Sequence, residues 1–103
     1  MAIKNGGNAN DTEKFGRFIL MNAKIRDLLK KIGSLSVPVD GLADDADLYS
    51  AGLSSFASVQ LMLSIEEAFD IEFPDNMLNR KSFASIDAIE GTVTHILEDR
   101  KVA

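Results

Sequence analysis

No cysteine occurs in the 103 residues. That excludes disulfides, thiolate metal sites and a cysteine nucleophile, so any thiol chemistry has to come from an added group. It also makes a reducing, cytoplasmic location the default expectation. His95 is the sole histidine, which leaves no paired-histidine zinc site and no HExxH motif. Neither GxGxxG nor GxxxxGK followed by Ser or Thr is present, removing the usual glycine-rich phosphate loops. No run of 18 apolar residues exists, so no transmembrane helix is expected. The opening MAIKNGGNANDTEK lacks the apolar stretch a secretory signal needs. No segment reads as a strand, and there is no internal repeat.

What is present suffices for one small domain. Hydrophobic residues make up 46% of the chain, enough for a modest core. The net charge of −5 is unevenly spread. Residues 1–33 carry seven basic and three acidic side chains, whereas residues 34–103 carry four basic and thirteen acidic. An acidic body argues against nucleic acid as a partner. It suits either basic patches on protein partners or solubility alone.

In chain order, residues 1–11 read as a flexible tail. Asp11 or Thr12 is placed to cap a first helix. Phe15, Phe18, Asn22, Ile25, Leu29 and Ile32 then recur at helical spacing, with Met21 and Leu28 widening the stripe and Asn22 its one polar member. Lys14, Arg17, Lys24, Arg26, Lys30 and Lys31 fall largely toward solvent, and Gly33 suits the stop. Residues 34–54 form a long loop for Val37, Val39, Leu42, Leu48, Tyr49 and Leu53 to pin, with one short helical turn at Asp47–Ser50. Its aspartates, Asp40, Asp44, Asp45 and Asp47, lack the spacing of a calcium loop and read as a solvated acidic segment.

The second helix is expected over Ser55–Phe69. On a wheel, Leu61, Met62, Ile65 and Phe69 gather on one side, with Ser58 and Ala68 among them. Phe56, Val59 and Leu63 gather on the other, flanked by Glu66 and Glu67. One stripe serves a core; the second is either a contact surface or is covered by a neighbouring element. Ile71 and Phe73 lead into Pro74. Asp75 caps a short helix through about Arg80, and Lys81–Ala84 connects it onward. Ser85 caps a last helix with Asp87 in its first turn and Ile86, Ile89, Val93, Ile96 and Leu97 on its apolar face. Gly91 weakens that helix by about 1 kcal/mol relative to alanine. Residues 100–103 are expected to fray. The sum is an all-α antiparallel bundle of three main helices and one short one.

Ser54 and Ser55 admit two readings at the start of the second helix. Serine is a favoured N-cap. The same helix end offers free N–H groups and a positive dipole to a phosphodiester attached there, and Gly52 would let a modifying enzyme approach closely. Spacing alone leaves a Ser55–His95 hydrolase open, although a surface helical histidine is the plainer reading.

GLSSFASVQLMLSIEEAFDIEFPD resembles the phosphopantetheine-attachment region of acyl carrier proteins. The family pattern is Gly-x-Asp-Ser-Leu, a helix ending Glu-Glu-x-Phe, then an apolar alternation into Pro-Asp. Gly52, Ser55, Glu66, Glu67, Phe69, Ile71, Phe73, Pro74 and Asp75 fall in register, and the resemblance spans about residues 12–99. It implies a 4′-phosphopantetheine on Ser55 whose thiol holds an acyl or aminoacyl group as a thioester. It implies a non-catalytic, monomeric carrier. The implied partners are a phosphopantetheinyl transferase, an acyl or aminoacyl ligase and downstream transferases, with no membrane. Ser54, Phe56, Val59, Leu63, Glu66 and Glu67 would then meet those partners.

Ser54 stands where the family usually has aspartate, and Phe56 where it has leucine. Ala57, Ser58 and Gln60 replace residues that are often acidic in fatty-acid carriers. These departures point to a specialised, free-standing carrier, similar to those that receive an amino acid from a dedicated ligase. Short length favours that over a module of a large synthase. The alternative is an unmodified helical adaptor using the Phe56, Val59 and Leu63 surface.

Overall fold

The computed structural model describes the backbone of residues 7–102 and the side chains of residues 20–100. Three α-helices, α1 (Gly7–Ile32), α2 (Ser55–Phe69) and α3 (Ile86–Val102), form an all-α bundle in which α1 packs against both others. α1 begins ahead of Asp11 and Thr12, so neither is its N-cap. Residues 7–11 of the expected tail are helical, with no proline to oppose them; residues 1–6 lie outside the described residues, as do the side chains of Phe15, Phe18, Lys14 and Arg17. Gly33 ends α1 as expected: its φ of 69° is left-handed, and its N–H donates to Leu29 O at 3.1 Å. α3 runs through Val102. Arg100, within the stretch 100–103 expected to fray, donates to the Asp70 carbonyl.

α2 has the limits its sequence suggests. Ser54 caps it, with its hydroxyl accepting from Ala57 N. At the far end Asp70 turns left-handed at φ 54°, which aspartate tolerates better than most residues. Ile71 N then closes on Glu66 O at 3.0 Å. Ser85 starts α3, accepting from Ala88 N at 3.0 Å.

The core joins all three helices and the loop. Ile25 and Leu29 from α1, Leu61 and Ile65 from α2, and Ile86, Ile89 and Val93 from α3 are almost wholly enclosed. Each such side chain contributes about 1.5–3 kcal/mol by leaving water. Leu48 enters from the loop with no exposed surface. Val39 and Leu53 are buried too, and Leu42 and Tyr49 pack at the margin. Val37 is exposed and pins nothing.

Polar contacts complete the loop. Arg26, expected toward solvent, is only 17% exposed at its side chain. It donates to Val39 O at 2.7 Å, to Asn22 Oδ1 at 2.8 Å and to Asp44 Oδ1. The long loop offers it carbonyl and carboxylate acceptors that outcompete water once the chain folds back. Asp40 pairs with Lys30 at 2.9 Å. Asp47 begins the expected short turn, accepting from Tyr49 N and Ser50 Oγ. Three of the four loop aspartates thus hold the loop in place.

Residues 71–85 differ from expectation. Ile71 and Phe73 are buried, but the single short helix is two 3-10 turns, Asp75–Met77 and Arg80–Phe83. Asp75 makes no side-chain cap. Asn79 does, accepting from Ser82 N at 3.0 Å, and this restarts the chain as a second turn. Phe83, expected in a connector, is buried with its ring centroid 5.2 Å from that of Phe73.

Candidate functional site

The site is built at the junction of the loop and α2. Gly52 has φ 116°. A Cβ there would lie 3.1 Å from both Ser34 O and Ser36 N. Glycine is therefore required by the chain's own start of loop. Ser36 tightens that contact, donating from N at 2.8 Å and from Oγ at 2.9 Å to Ala51 O. The turn delivers Ser54 and Ser55 to the mouth of α2.

The two serines divide the work. Ser54 Oγ accepts from Ala57 N at 3.0 Å, so the cap is Ser54, in the place where the family pattern has aspartate. Ser55 is the first residue of α2 and is exposed. Among the described residues no side chain engages its hydroxyl; its carbonyl accepts from Ser58 Oγ at 2.7 Å. Ser55 opens onto a cleft of about 300 Å³, with Val59, Met62 and Leu78 along it and Tyr49 and Arg80 beside them. The Arg80 guanidinium lies 3.8 Å over the Tyr49 ring.

The second face of α2 is open. Phe56, Val59 and Leu63 are 74%, 51% and 56% exposed, so among the described residues no element covers them. Ala57, by contrast, is buried in line with Leu61 and Ile65; it is a core residue, not a surface departure. Ala68 is exposed although the wheel put it near the core side. Glu66 is partly committed to the fold, accepting from Phe73 N at 2.9 Å. Glu67 is exposed. His95 sits on the surface of α3, 3.5 Å from Asp99, and lines a different depression from Ser55. The structure does not bring Ser55 and His95 together.

Two features escaped the sequence reading. Glu90 is 6% exposed, and Asn22 Nδ2 donates to its Oε1 at 3.3 Å. Burial pushes the Glu90 carboxyl up, aided by the nearby charges of Asp44 and Asp87. The hydrogen bonds from Asn22 and Arg26 hold Asp44 below its ordinary value. Glu90 had a signal: at Ile86+4 and Val93−3 it lies within the α3 stripe. The other is the Arg80–Tyr49 pair. Its signal was charge, because two of the four cations in the acidic body are Arg80 and Lys81.

The phosphopantetheine attachment site family matches residues 23–93. The chain belongs to that family. An aminoacyl carrier protein of Agrobacterium fabrum is 72% identical over 83 residues, covering 81% of this chain and all of that one. A crystal structure of engineered Bradyrhizobium japonicum glycine:carrier protein ligase, complexed with carrier protein from Agrobacterium tumefaciens and ATP, contains a chain 76% identical to this one. It covers 74% of this chain and 99% of its own, with a TM-score of 0.71. A further structure, of Bradyrhizobium japonicum glycine:carrier protein ligase with its cognate carrier protein and an analogue of glycyl adenylate, matches at 26% identity and a TM-score of 0.65. That match covers 74% of this chain and 97% of the other.

The chain is thus a carrier protein of the family whose prosthetic group is covalent 4′-phosphopantetheine. Its geometry fits the group. An exposed primary hydroxyl stands at a helix start already capped by its neighbour, beside a cleft with apolar walls. Among the described residues no helix is long and apolar enough to cross a membrane.

Proposed function

We propose that Ser55 is the attachment residue and that the cargo is an amino acid, delivered by an ATP-dependent amino acid:carrier protein ligase. The observation that supports the Ser55 assignment most is that the Ser54 hydroxyl accepts from Ala57 N, whereas among the described residues no side chain engages the hydroxyl of Ser55. A serine used as a cap is a poor nucleophile toward a transferase, because its oxygen accepts a hydrogen bond within the helix end. When attached, the arm supplies a terminal thiol that holds the cargo as a thioester.

The chain's own residues bind and present. The first N–H groups of α2 and its positive end favour the phosphodiester charge at Ser55. Phe56, Val59 and Leu63 form an apolar surface running away from Ser55 along α2, and exposed Glu67 borders it. We read this face, with Ser54 and Glu66 at its margins, as the surface that a phosphopantetheinyl transferase, the ligase and downstream transferases engage in turn. The separation of Ser55 from His95 supports a non-catalytic role. We take the carrier to act as a monomer, in the cytoplasm where ATP supports the ligase.

Intact mass after treatment with coenzyme A and a phosphopantetheinyl transferase tests the assignment. A mass gain that survives Ser54→Ala and disappears in Ser55→Ala is expected. The reverse pattern moves the site to Ser54, and no gain with several transferases favours the unmodified adaptor.

A further inference from the structure

We propose that Arg80, seated on the ring of Tyr49, is a positioning residue that holds the arm's phosphodiester at the mouth of the cleft beside Ser55. The inference rests on Ser55 being the attachment residue. Both Ser55 and Arg80 line one cleft of about 300 Å³. A phosphodiester bonded to Ser55 Oγ and the Arg80 guanidinium would therefore share the same cleft.

The guanidinium is prepared for an anion. Stacked 3.8 Å over Tyr49, it is held by its face while its N–H edges stay available to an acceptor. Such edges match the paired oxygens of a phosphodiester. Each support of the stack is fixed in turn. The Tyr49 backbone N–H donates to Asp47 Oδ1 at 3.0 Å, and the preceding Leu48 is anchored in the core. Asn79 caps the turn that begins at Arg80, and its Nδ2 donates to Asn76 O at 3.1 Å.

Charge points the same way. The body from residue 34 onward has thirteen acidic and four basic side chains, yet a cation lines the cleft onto which Ser55 opens. Among the described residues no carboxylate forms an ion pair with Arg80. Asp47 shares a second depression with Arg80 and feels its charge without forming an ion pair with it. The Asp47 oxygens turn toward the loop, accepting from Tyr49 N and Ser50 Oγ. The apolar run of Val59, Met62 and Leu78 then lies where the stem of an arm anchored by its phosphate would rest. A cation here also repels the ammonium of an aminoacyl cargo, which keeps the loaded end out of the cleft and available to partners.

The test uses holo protein, with the arm first verified by intact mass. Phosphorus-31 NMR of the single phosphodiester is compared between wild type, Arg80→Gln, Arg80→Lys and Tyr49→Leu. The proposal expects a displaced, salt-sensitive resonance in wild type. In Arg80→Gln and Tyr49→Leu it should move toward the position found for the arm on a denatured chain. Arg80→Lys should fall between. Contacts from the arm to the Val59 and Met62 methyl groups should weaken in parallel. A resonance unchanged in Arg80→Gln, on protein with the full arm mass and wild-type helicity, overturns the proposal and leaves the Ser55 assignment standing. Absence of the arm mass in wild type overturns both. Should either substitution disturb helicity, the salt dependence of the wild-type resonance decides: no movement with salt overturns the proposal.

Discussion

The Ser54 hydroxyl accepts the Ala57 amide at 3.0 Å, and that bond frees its neighbour for other use. Ser54→Ala should cost about 1 kcal/mol of stability, the usual loss of an N-cap. Thermal or urea unfolding measures it, and Ser54→Asp should restore it. Gly52 makes a harder demand. With φ 116° and two backbone atoms 3.1 Å from a virtual Cβ, Gly52→Ala should destabilise by more than about 1 kcal/mol, read by the same melts. Glu90 gives the pH dependence. Its carboxyl is raised by burial, so between its unfolded and folded values the folded state binds more protons. Stability therefore falls as pH rises through that interval. Asp44 acts oppositely: its lowered value gives stability above the unfolded range that is lost on acidification. Glu90→Gln should raise the unfolding midpoint at neutral pH and flatten the decline between mildly acidic and neutral conditions. Urea unfolding of both proteins across that range is the measurement.

α2 carries a core stripe and an exposed apolar stripe proposed to meet partners, and substitutions should separate them. Val59→Asp and Leu63→Asp act on side chains already more than half exposed. They should leave helicity intact while reducing transfer of cargo onto the carrier severalfold or more. Ile65→Asp buries an unpaired charge in a fully enclosed position and should cost about 4 kcal/mol or more, unfolding the domain. Circular dichroism beside a loading assay distinguishes the two outcomes; lost helicity in Val59→Asp would make that stripe core. The limits of α2 were legible because a cap, a periodic pattern and a following Pro74 agree. The two 3-10 turns were not, since Asp75 and Asn79 are both good caps by sequence and only the fold decides that Asn79 is used. Asn22 was visible as a polar intruder in one apolar stripe. Its partner Glu90 was an intruder in another, and their meeting needs the packing of α1 on α3. Ala57 misled because a small residue fits either face.

For the whole molecule, the three α-helices, the limits of α2 and the carrier resemblance could be read from residue spacing and motif. The loop's conformation could not, because Arg26 reaches from α1 to Val39 and Asp44 across the fold. Nothing in local sequence marks such an arginine as inward-facing. Absence of cysteine is consistent with a domain that borrows its thiol from an attached arm. The acidic body, the open α2 face and the capped helix start are the features behind the proposal that Ser55 is the point of presentation. Intact mass spectrometry of the purified carrier tests that claim most directly. The protein is read after a phosphopantetheinyl transferase with coenzyme A, then after ATP, glycine and a glycine:carrier protein ligase. The account predicts two successive gains, the arm and then a hydroxylamine-labile glycyl group, with neither on Ser55→Ala. Failure to gain the arm, or equal gains on Ser55→Ala, would contradict it.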